Sequence, residues 1–369
     1  MDEGNKEGQP SDPVVQTTAE HVQLERGKKR KLPKSSSREA LVGIGLAHPA
    51  LTTKTKIGVI QLTSVDSVED NFSNVLHFVQ QARRENVEMV FLPECFSFIG
   101  SPAKPSITVA EPLDGPIMRR YQAMAAEHKM WMSLGGFQEK VAGVPNKLYN
   151  THIILDDRGR VKGTYRKIHL FDAPVVGLKE SAFTEPGTHL TIVDSPAGKL
   201  GLGICYDLRF PQMFNTLRKL GAEILLVPSA FTFKTGSAHW ESLLKARAIE
   251  NQCYVIAAAQ CGRHHAARES WGRSLVADPW GVAVAQAGHA PGLLLAHLDR
   301  SYIQEVRSQM PITDHARPQS YQLLQELPTS TEKYTDNCST HGTNKCTENS
   351  KVVITKEGDG TSAAVVCSS

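Results

Sequence analysis

Three residues capable of joint chemistry each close an apolar or alternating run in this sequence. Glu94 ends MVFLPE, Lys167 ends RVKGTYRK, and Cys205 ends KLGLGIC. A carboxylate, an ammonium and a thiol suffice to hydrolyse an amide. The glutamate takes the thiol proton, the thiolate attacks the carbonyl carbon, and the cation faces the developing oxyanion. Each residue taken alone has a plainer reading. Glu94 could belong to a buried ion pair, since a lone carboxylate is costly to bury. Lys167 could be a surface lysine, and Cys205 a core thiol. What favours chemistry at Cys205 is the sequel YDLRFP, which turns at once into a polar segment carrying a charged pair. His169 is a second possible base for Cys205, and a hydrogen-bonded structural histidine is an equal reading of it.

The elements that would position these residues follow from periodicity. KIGVIQL, residues 56–62, is rich in β-branched residues and reads as a buried strand. Phe72, Val75, Leu76 and Val79 recur at helical spacing and predict an amphipathic helix. EMVFLPE and MWMSLGGF read as strands, with the helix MRRYQAMAAEHK between them. LYNTHIILDDRGRVKGTYRK reads as two strands joined by a turn at Asp156, Asp157, Arg158 and Gly159. Strand LGLGICYD, helix PQMFNTLRKLG, strand AEILLVPSA, helix HWESLLKARAIENQ and strand CYVIAAAQ follow, with His239 heading the last helix. This alternation predicts an α/β layered fold with mixed sheets. Such sheets place chemistry at the carboxyl ends of their strands, where the three candidates fall. Strand alternation sends Cys95 to the face opposite Glu94.

With 369 residues, 40% hydrophobic and 21% charged, the chain can bury a sizeable core. A net charge of +3 is too weak to imply a nucleic-acid or membrane partner for the whole protein. No apolar run approaches the ~20 residues of a membrane span. The opening MDEGNKEGQPSD reads as carrying no apolar signal segment. Seven cysteines, an odd and scattered set, point to a reducing compartment, and a cytoplasmic protein is expected. Residues 1–53 and 328–369 are polar and read as disordered tails. The Lys28–Lys31 run in the first tail is a solvated charge cluster or a nuclear-import or nucleic-acid patch. Cys338, His341 and Cys346 lack paired CxxC spacing, so a loose tail is the reading there. Cys253, Cys261, His264 and His265 could serve a metal, but two core thiols flanking YVIAAAQ is the better reading, and no metal is expected. There is no GxGxxG or GxxxxGK[ST] loop, so nucleotide binding has no motif behind it.

FLPECF, YRKIHLFD and GICYDLRFP resemble the three catalytic segments of the nitrilase (carbon–nitrogen hydrolase) superfamily, and the similarity runs from about Lys56 to Tyr321. SLGGF, GAEILLVPSAFT, AHWESLLKARAIENQCYVIAAAQCGRHH and DPWG are similar to the branch that hydrolyses deaminated glutathione to 2-oxoglutarate and cysteinylglycine. The resemblance implies a four-layer αββα sandwich with two mixed β-sheets over residues 54–327. It also implies a small-molecule amide substrate, no cofactor, assembly as a homodimer or homotetramer, and a cytoplasmic or mitochondrial location. By motif matching, Glu94 is the general base, Lys167 the oxyanion-facing cation and Cys205 the nucleophile. Glu180 in GLKESAF matches an auxiliary glutamate, with Glu185 as the alternative. The Tyr206 N–H is expected to join Lys167 at the oxyanion. Arg209 either clamps a substrate carboxylate or forms an internal salt bridge with Asp207 or an acid elsewhere, and Thr232 is a weaker substrate contact. An ω-amidase acting on α-ketoglutaramate, with the same triad and a smaller pocket, is the alternative activity.

Overall fold

Hydrophobic alternation sorts the strand side chains onto two faces, and four layers result. A computed structural model of the chain describes residues 54–174, 177–320, 352–353 and 364–365. The expectations for residues 1–53, including Lys28–Lys31, and for Cys338, His341 and Cys346 lie outside the described residues. Within the segment expected to be a C-terminal tail, Val352–Val353 pairs antiparallel with Ala364–Val365.

One six-stranded sheet contains β1 (Lys54–Gln61), β2 (Met89–Phe91), β3 (Trp131–Lys140), β4 (Leu148–Leu155) and β5 (Val161–Arg166) in that order, with β16 (Gly292–Asp299) on the free side of β1. The hairpin β6 (Asp172–Ala173) and β7 (Leu178–Lys179) follows β5. The second six-stranded sheet runs β15 (Ala283–Gln286), β14 (Leu275–Ala277), β11 (Tyr254–Ala257), β10 (Ile224–Leu226), β9 (Gly198–Leu202) and β8 (Ile192–Ser195). Both sheets follow one plan. Three parallel strands, β1-β2-β3 and β9-β10-β11, are flanked by antiparallel ones. Outside the sheets, β12 (Cys261–His265) and β13 (Arg268–Trp271) form a separate hairpin.

Ile57, Val59, Met89 and Phe91 of the first sheet share one core with Leu200, Leu202 and Ile224 of the second. The alternate residues Ile60, Val90 and Met132 share another with helices α1 (Val68–Arg84) and α2 (Pro116–His128). Helices α3 (Pro211–Lys219) and α4 (Phe233–Asn251) cover the second sheet. The αββα sandwich with two mixed sheets is therefore the observed architecture. In α1, Ser67 caps the first turn by accepting from the Asp70 N–H at 3.3 Å, and Val75, Val79 and Ala82 form the buried stripe. Full burial of each valine contributes about 1.5–3 kcal/mol.

The last long helix starts at Phe233 and not at His239. Thr232 caps it, its hydroxyl accepting from the Thr235 N–H at 3.4 Å. Gly236 is needed inside it, because a Cβ there would lie 2.3 Å from the Trp271 Cβ. His239 therefore sits inside the helix.

Two buried histidines tie layers and loops together. The His152 Nδ1 donates to the Gly203 carbonyl at 3.1 Å, and Nε2 lies 2.7 Å from the Ser133 hydroxyl. This joins the first sheet to the segment leading to Cys205. The His264 Nδ1 donates to the Ser64 carbonyl at 2.8 Å, and Nε2 lies 2.7 Å from Ser270 Oγ. Burial lowers both to about 4, against the smaller opposing effect of the carbonyls they bond. Each is neutral in the fold and titrates near 6.5 when unfolded. The unfolded chain therefore binds more protons between pH 6.5 and 4. Stability is full above pH 6.5 and falls as pH drops toward 4, by up to the order of 3 kcal/mol per histidine. Urea midpoints measured from pH 7 to 4.5 are expected to decline through this window, and a flat profile would contradict the assignment.

Candidate active site

Each candidate residue lies just past a strand and is aimed by a close backbone contact. After β2 ends at Phe91, Leu92 and Pro93 carry the chain to Glu94, which bridges Gly136. The glycine pair of SLGGF makes this approach possible. A Cβ on Gly135 would lie 2.4 Å from the Leu92 carbonyl oxygen, and one on Gly136 would lie 2.6 Å from the Asn150 Oδ1. Lys167 directly follows β5, its N–H bonded to the Asn150 carbonyl at 2.9 Å. Strand β9 ends at Leu202, earlier than LGLGICYD predicts. Cys205 then opens a 3-10 turn that runs to Arg209.

Cys205 has φ 48°, a left-handed conformation costing roughly 1–2 kcal/mol for a residue with a side chain. Asp207 holds that turn in place. Fully buried, it accepts from the Ile204 N–H at 2.9 Å, the Tyr165 hydroxyl at 2.7 Å and the His169 N–H at 3.1 Å. The His169 Nδ1 is also 2.7 Å from Asp207, and its ring stacks on Phe210 at 3.6 Å. His169 is thus the structural histidine and not a base for Cys205. Arg247 of α4 adds a bond to the Leu208 carbonyl at 2.7 Å.

These segments converge on one buried cluster. The Lys167 Nζ lies 2.9 Å from Glu94 Oε1 and 2.8 Å from Glu180 Oε2. The Asn150 Nδ2 donates to the same two carboxylates at 2.9 and 3.2 Å. The Ala230 N–H donates to Glu94 Oε2 at 2.8 Å, and the Phe171 N–H to Glu180 Oε2 at 2.7 Å. The Cys205 thiol lies beside Glu94 in the lining of the same cavity. Glu185 is engaged elsewhere, with Lys147 at 3.1 Å, so Glu180 is the glutamate that joins the cluster.

The electrostatics follow from burial and pairing. Burial works to raise the Glu94 carboxyl, but the charge of Lys167 and the bonds from Lys167, Cys205 and Asn150 hold it below the ordinary carboxylate value. Burial and the neighbouring Glu94 charge push the Cys205 thiol well up. Burial opposes the charge on Lys167, yet Glu180 and Glu94 raise its pKa well above the usual value. The resting site is therefore a carboxylate, an ammonium and a neutral thiol. It can move the thiol proton to Glu94 as sulfur attacks an electrophile, with Lys167 beside the oxygen that gains charge.

Glu94, Lys167, Glu180 and Cys205 line a cavity of about 110 Å³. The remaining sequence candidates fall elsewhere. The Arg209 guanidinium lies over the Tyr206 and Phe231 rings, at 5.8 and 5.6 Å, and 3.2 Å from His239 Nδ1, outside the residues that line this cavity. Its suggested partner Asp207 is taken up by Tyr165, His169 and Ile204. The Tyr206 ring packs on Phe171 and Phe210. Thr232 is a helix cap and lines an outer space instead. Cys95 does line the cavity with Glu94, contrary to strand alternation, because the strand has ended and Cys95 has φ 58°. Burial and the Glu94 charge push its thiol up to about 12, which favours the neutral thiol over the thiolate. Cys253 and Cys261 are buried core thiols.

Sequence reasoning missed Asn150, Lys179 and Arg268, all of which line the cavity. Asn150 had a signal, a polar residue interrupting the apolar strand LYNTHIIL. Arg268 had none, since a charged residue in a hairpin is ordinarily solvated.

A sequence model of the carbon-nitrogen hydrolase family matches residues 56–308. The chain is 47% identical over 277 residues to a deaminated glutathione amidase of Rattus norvegicus, covering 73% of this chain and 85% of that protein. Among solved structures, the Caenorhabditis elegans NitFhit protein superposes with a TM-score of 0.70 at 44% identity, over 73% of this chain and 66% of that one. A nitrilase-superfamily member from Saccharomyces cerevisiae gives a TM-score of 0.64 at 31% identity, over 70% and 95%.

Proposed function

The chain belongs to the carbon-nitrogen hydrolase family and acts on amides, and from that premise we propose that it hydrolyses deaminated glutathione to 2-oxoglutarate and cysteinylglycine. The observation that carries the chemistry is the buried thiol of Cys205 sharing one cavity with Glu94, a carboxylate that Lys167 keeps ionised. The substrate is drawn from the relatives that carry this activity in their names.

In the first half-reaction Glu94 accepts the Sγ proton as sulfur attacks the amide carbon. The oxyanion is met by the Lys167 Nζ and by the Tyr206 N–H, second in the 3-10 turn that Cys205 opens, where N–H groups lack an intrahelical acceptor. As the C–N bond breaks, Glu94 returns the proton to nitrogen and cysteinylglycine departs. A 2-oxoglutaryl thioester remains on Cys205. In the second half-reaction Glu94 takes a proton from water, hydroxide adds to the thioester, and collapse releases 2-oxoglutarate and restores the thiol. Lys167 stays protonated throughout, held by Glu94 and Glu180.

The competing substrate is α-ketoglutaramate. Steady-state assays of the full chain on both amides separate the readings. Deaminated glutathione is expected to show the higher kcat/KM by about tenfold or more, with cysteinylglycine appearing in step with 2-oxoglutarate. Equal or reversed efficiencies would make the protein an ω-amidase.

A further inference from the structure

Deaminated glutathione and α-ketoglutaramate deliver the same acyl group. Each would leave a 2-oxoglutaryl thioester on Cys205, and they differ in what departs, cysteinylglycine or ammonia. A preference between them must be built where the departing half lies. That half leaves while the acyl group is still bonded to sulfur, and water must then reach the thioester. The departing half therefore belongs on the open side of the nucleophile.

The 110 Å³ cavity around Cys205 adjoins a vestibule of about 790 Å³, and Ser106, Leu178, Phe183 and Arg268 line both. Arg268 opens β13 and is half-buried at this junction. Its charge is uncommitted. Lys167 is taken by Glu94 and Glu180, Arg166 by Glu139, and Arg247 by Glu250 and the Leu208 carbonyl. Arg268 has no ion-pair partner among the described residues. Lys234 and His265 line the vestibule as well, against a single acid, Glu269. A half-buried, unneutralised guanidinium is suited to a carboxylate, which it can hold through two parallel N–H donors.

We infer that Arg268 is a specificity residue for the departing half of the substrate, binding the terminal carboxylate of cysteinylglycine, with Lys234 and His265 forming the outer wall of that subsite. This rests on the deaminated glutathione reading. The second carboxylate of that substrate, on the 2-oxo acid, travels with the acyl group and is common to both amides. It cannot discriminate between them. Placing the guanidinium at the mouth lets it release the peptide product outward, ahead of the water that completes the cycle.

The test compares wild type and Arg268→Ala on three amides: deaminated glutathione, its analogue with the terminal carboxylate converted to a carboxamide, and α-ketoglutaramate. Arg268→Ala is expected to lower kcat/KM on deaminated glutathione by about a hundredfold, mostly through KM. The other two substrates are expected to change by less than about threefold. Wild type loses a similar factor when the carboxylate is masked, and the variant loses little more. Arg268→Lys keeps the charge without the fork and recovers only part of the loss; it also serves as the second variant should alanine impair folding, which thermal melting checks. Equal losses on all three amides would overturn the assignment, because Arg268 would then serve the acyl half or hold the loop. Unchanged kinetics on all three would overturn it too. Should wild type itself prefer α-ketoglutaramate, the substrate reading fails, whatever Arg268 does.

Discussion

Cys205→Ala is expected to remain folded while amide hydrolysis falls by about 10⁴-fold or more. The thiol is the one group of the cluster able to form the covalent intermediate, and removing it leaves Glu94, Lys167 and Glu180 paired as before. Alanine accepts the φ of 48° no worse than cysteine does, and the side chain lost is small. Cys205→Ser should be nearly as inactive. A carboxylate held below its ordinary value is a weak base toward a serine hydroxyl, far weaker than toward a thiol. Cys253→Ala supplies the contrast. Its sulfur lies 3.3 Å from the Ala222 and Asn251 carbonyl oxygens, away from the cavity, so stability should suffer and turnover should not. The measurements are kcat on an amide substrate and a thermal melt for each variant. Substantial turnover by Cys205→Ala would remove the mechanism.

Lys167→Met should damage both fold and catalysis. Its ammonium is shared by Glu94 and Glu180 at 2.9 and 2.8 Å in a fully buried cluster. Without it two carboxylates face one another with no cation between them. Removing one partner of a buried ion pair typically costs about 3–5 kcal/mol. The site has one escape, protonation of a carboxyl, and if Glu94 takes that proton the base is lost as well. The oxyanion also loses its cation, worth roughly 10²–10³ in kcat for one such donor. The combined fall in kcat is expected to exceed that of the donor alone. A denaturation midpoint and a kcat both equal to wild type would show that Lys167 is a bystander. Glu94→Gln separates the two effects, keeping the shape and the Asn150 neighbour while removing the base.

The parts of the site legible in the sequence are those declared by short range. Glu94, Lys167 and Cys205 each break an apolar or alternating run, and a charged or reactive residue at such a break is costly to place without a purpose. Glu180 was legible through its motif, and its competition with Glu185 was settled by Lys147, whose position no local pattern reveals. The sheets and most helices were legible because apolar periodicity repeats over many residues. What failed did so for want of long-range information. Asp207 seemed a partner for Arg209 because they are neighbours in the chain, yet its acceptors are filled by Tyr165 and His169 from another strand end. Strand alternation misplaces Cys95 because β2 ends at Phe91, before the chain reaches it. The helix start at Phe233 was hidden by its Lys-Thr-Gly-Ser opening, which has poor intrinsic helix propensity and is held by the Thr232 cap and the Trp271 contact.

Cys95 and Cys205 both carry left-handed backbones, at φ 58° and 48°, and both line the cavity shared with Glu94 and Lys167. Each such residue costs roughly 1–2 kcal/mol, against total stabilities of only about 5–15 kcal/mol for folded proteins. The fold therefore keeps a noticeable part of its possible stability unrealised at the proposed site of reaction. A sequence optimised for thermal tolerance alone would relax these two turns, with glycine as the natural replacement. At position 205 that change would trade the nucleophile for a more comfortable backbone. Engineering for heat resistance is best directed to the outer helices and the far strands, leaving the two strained turns as they are.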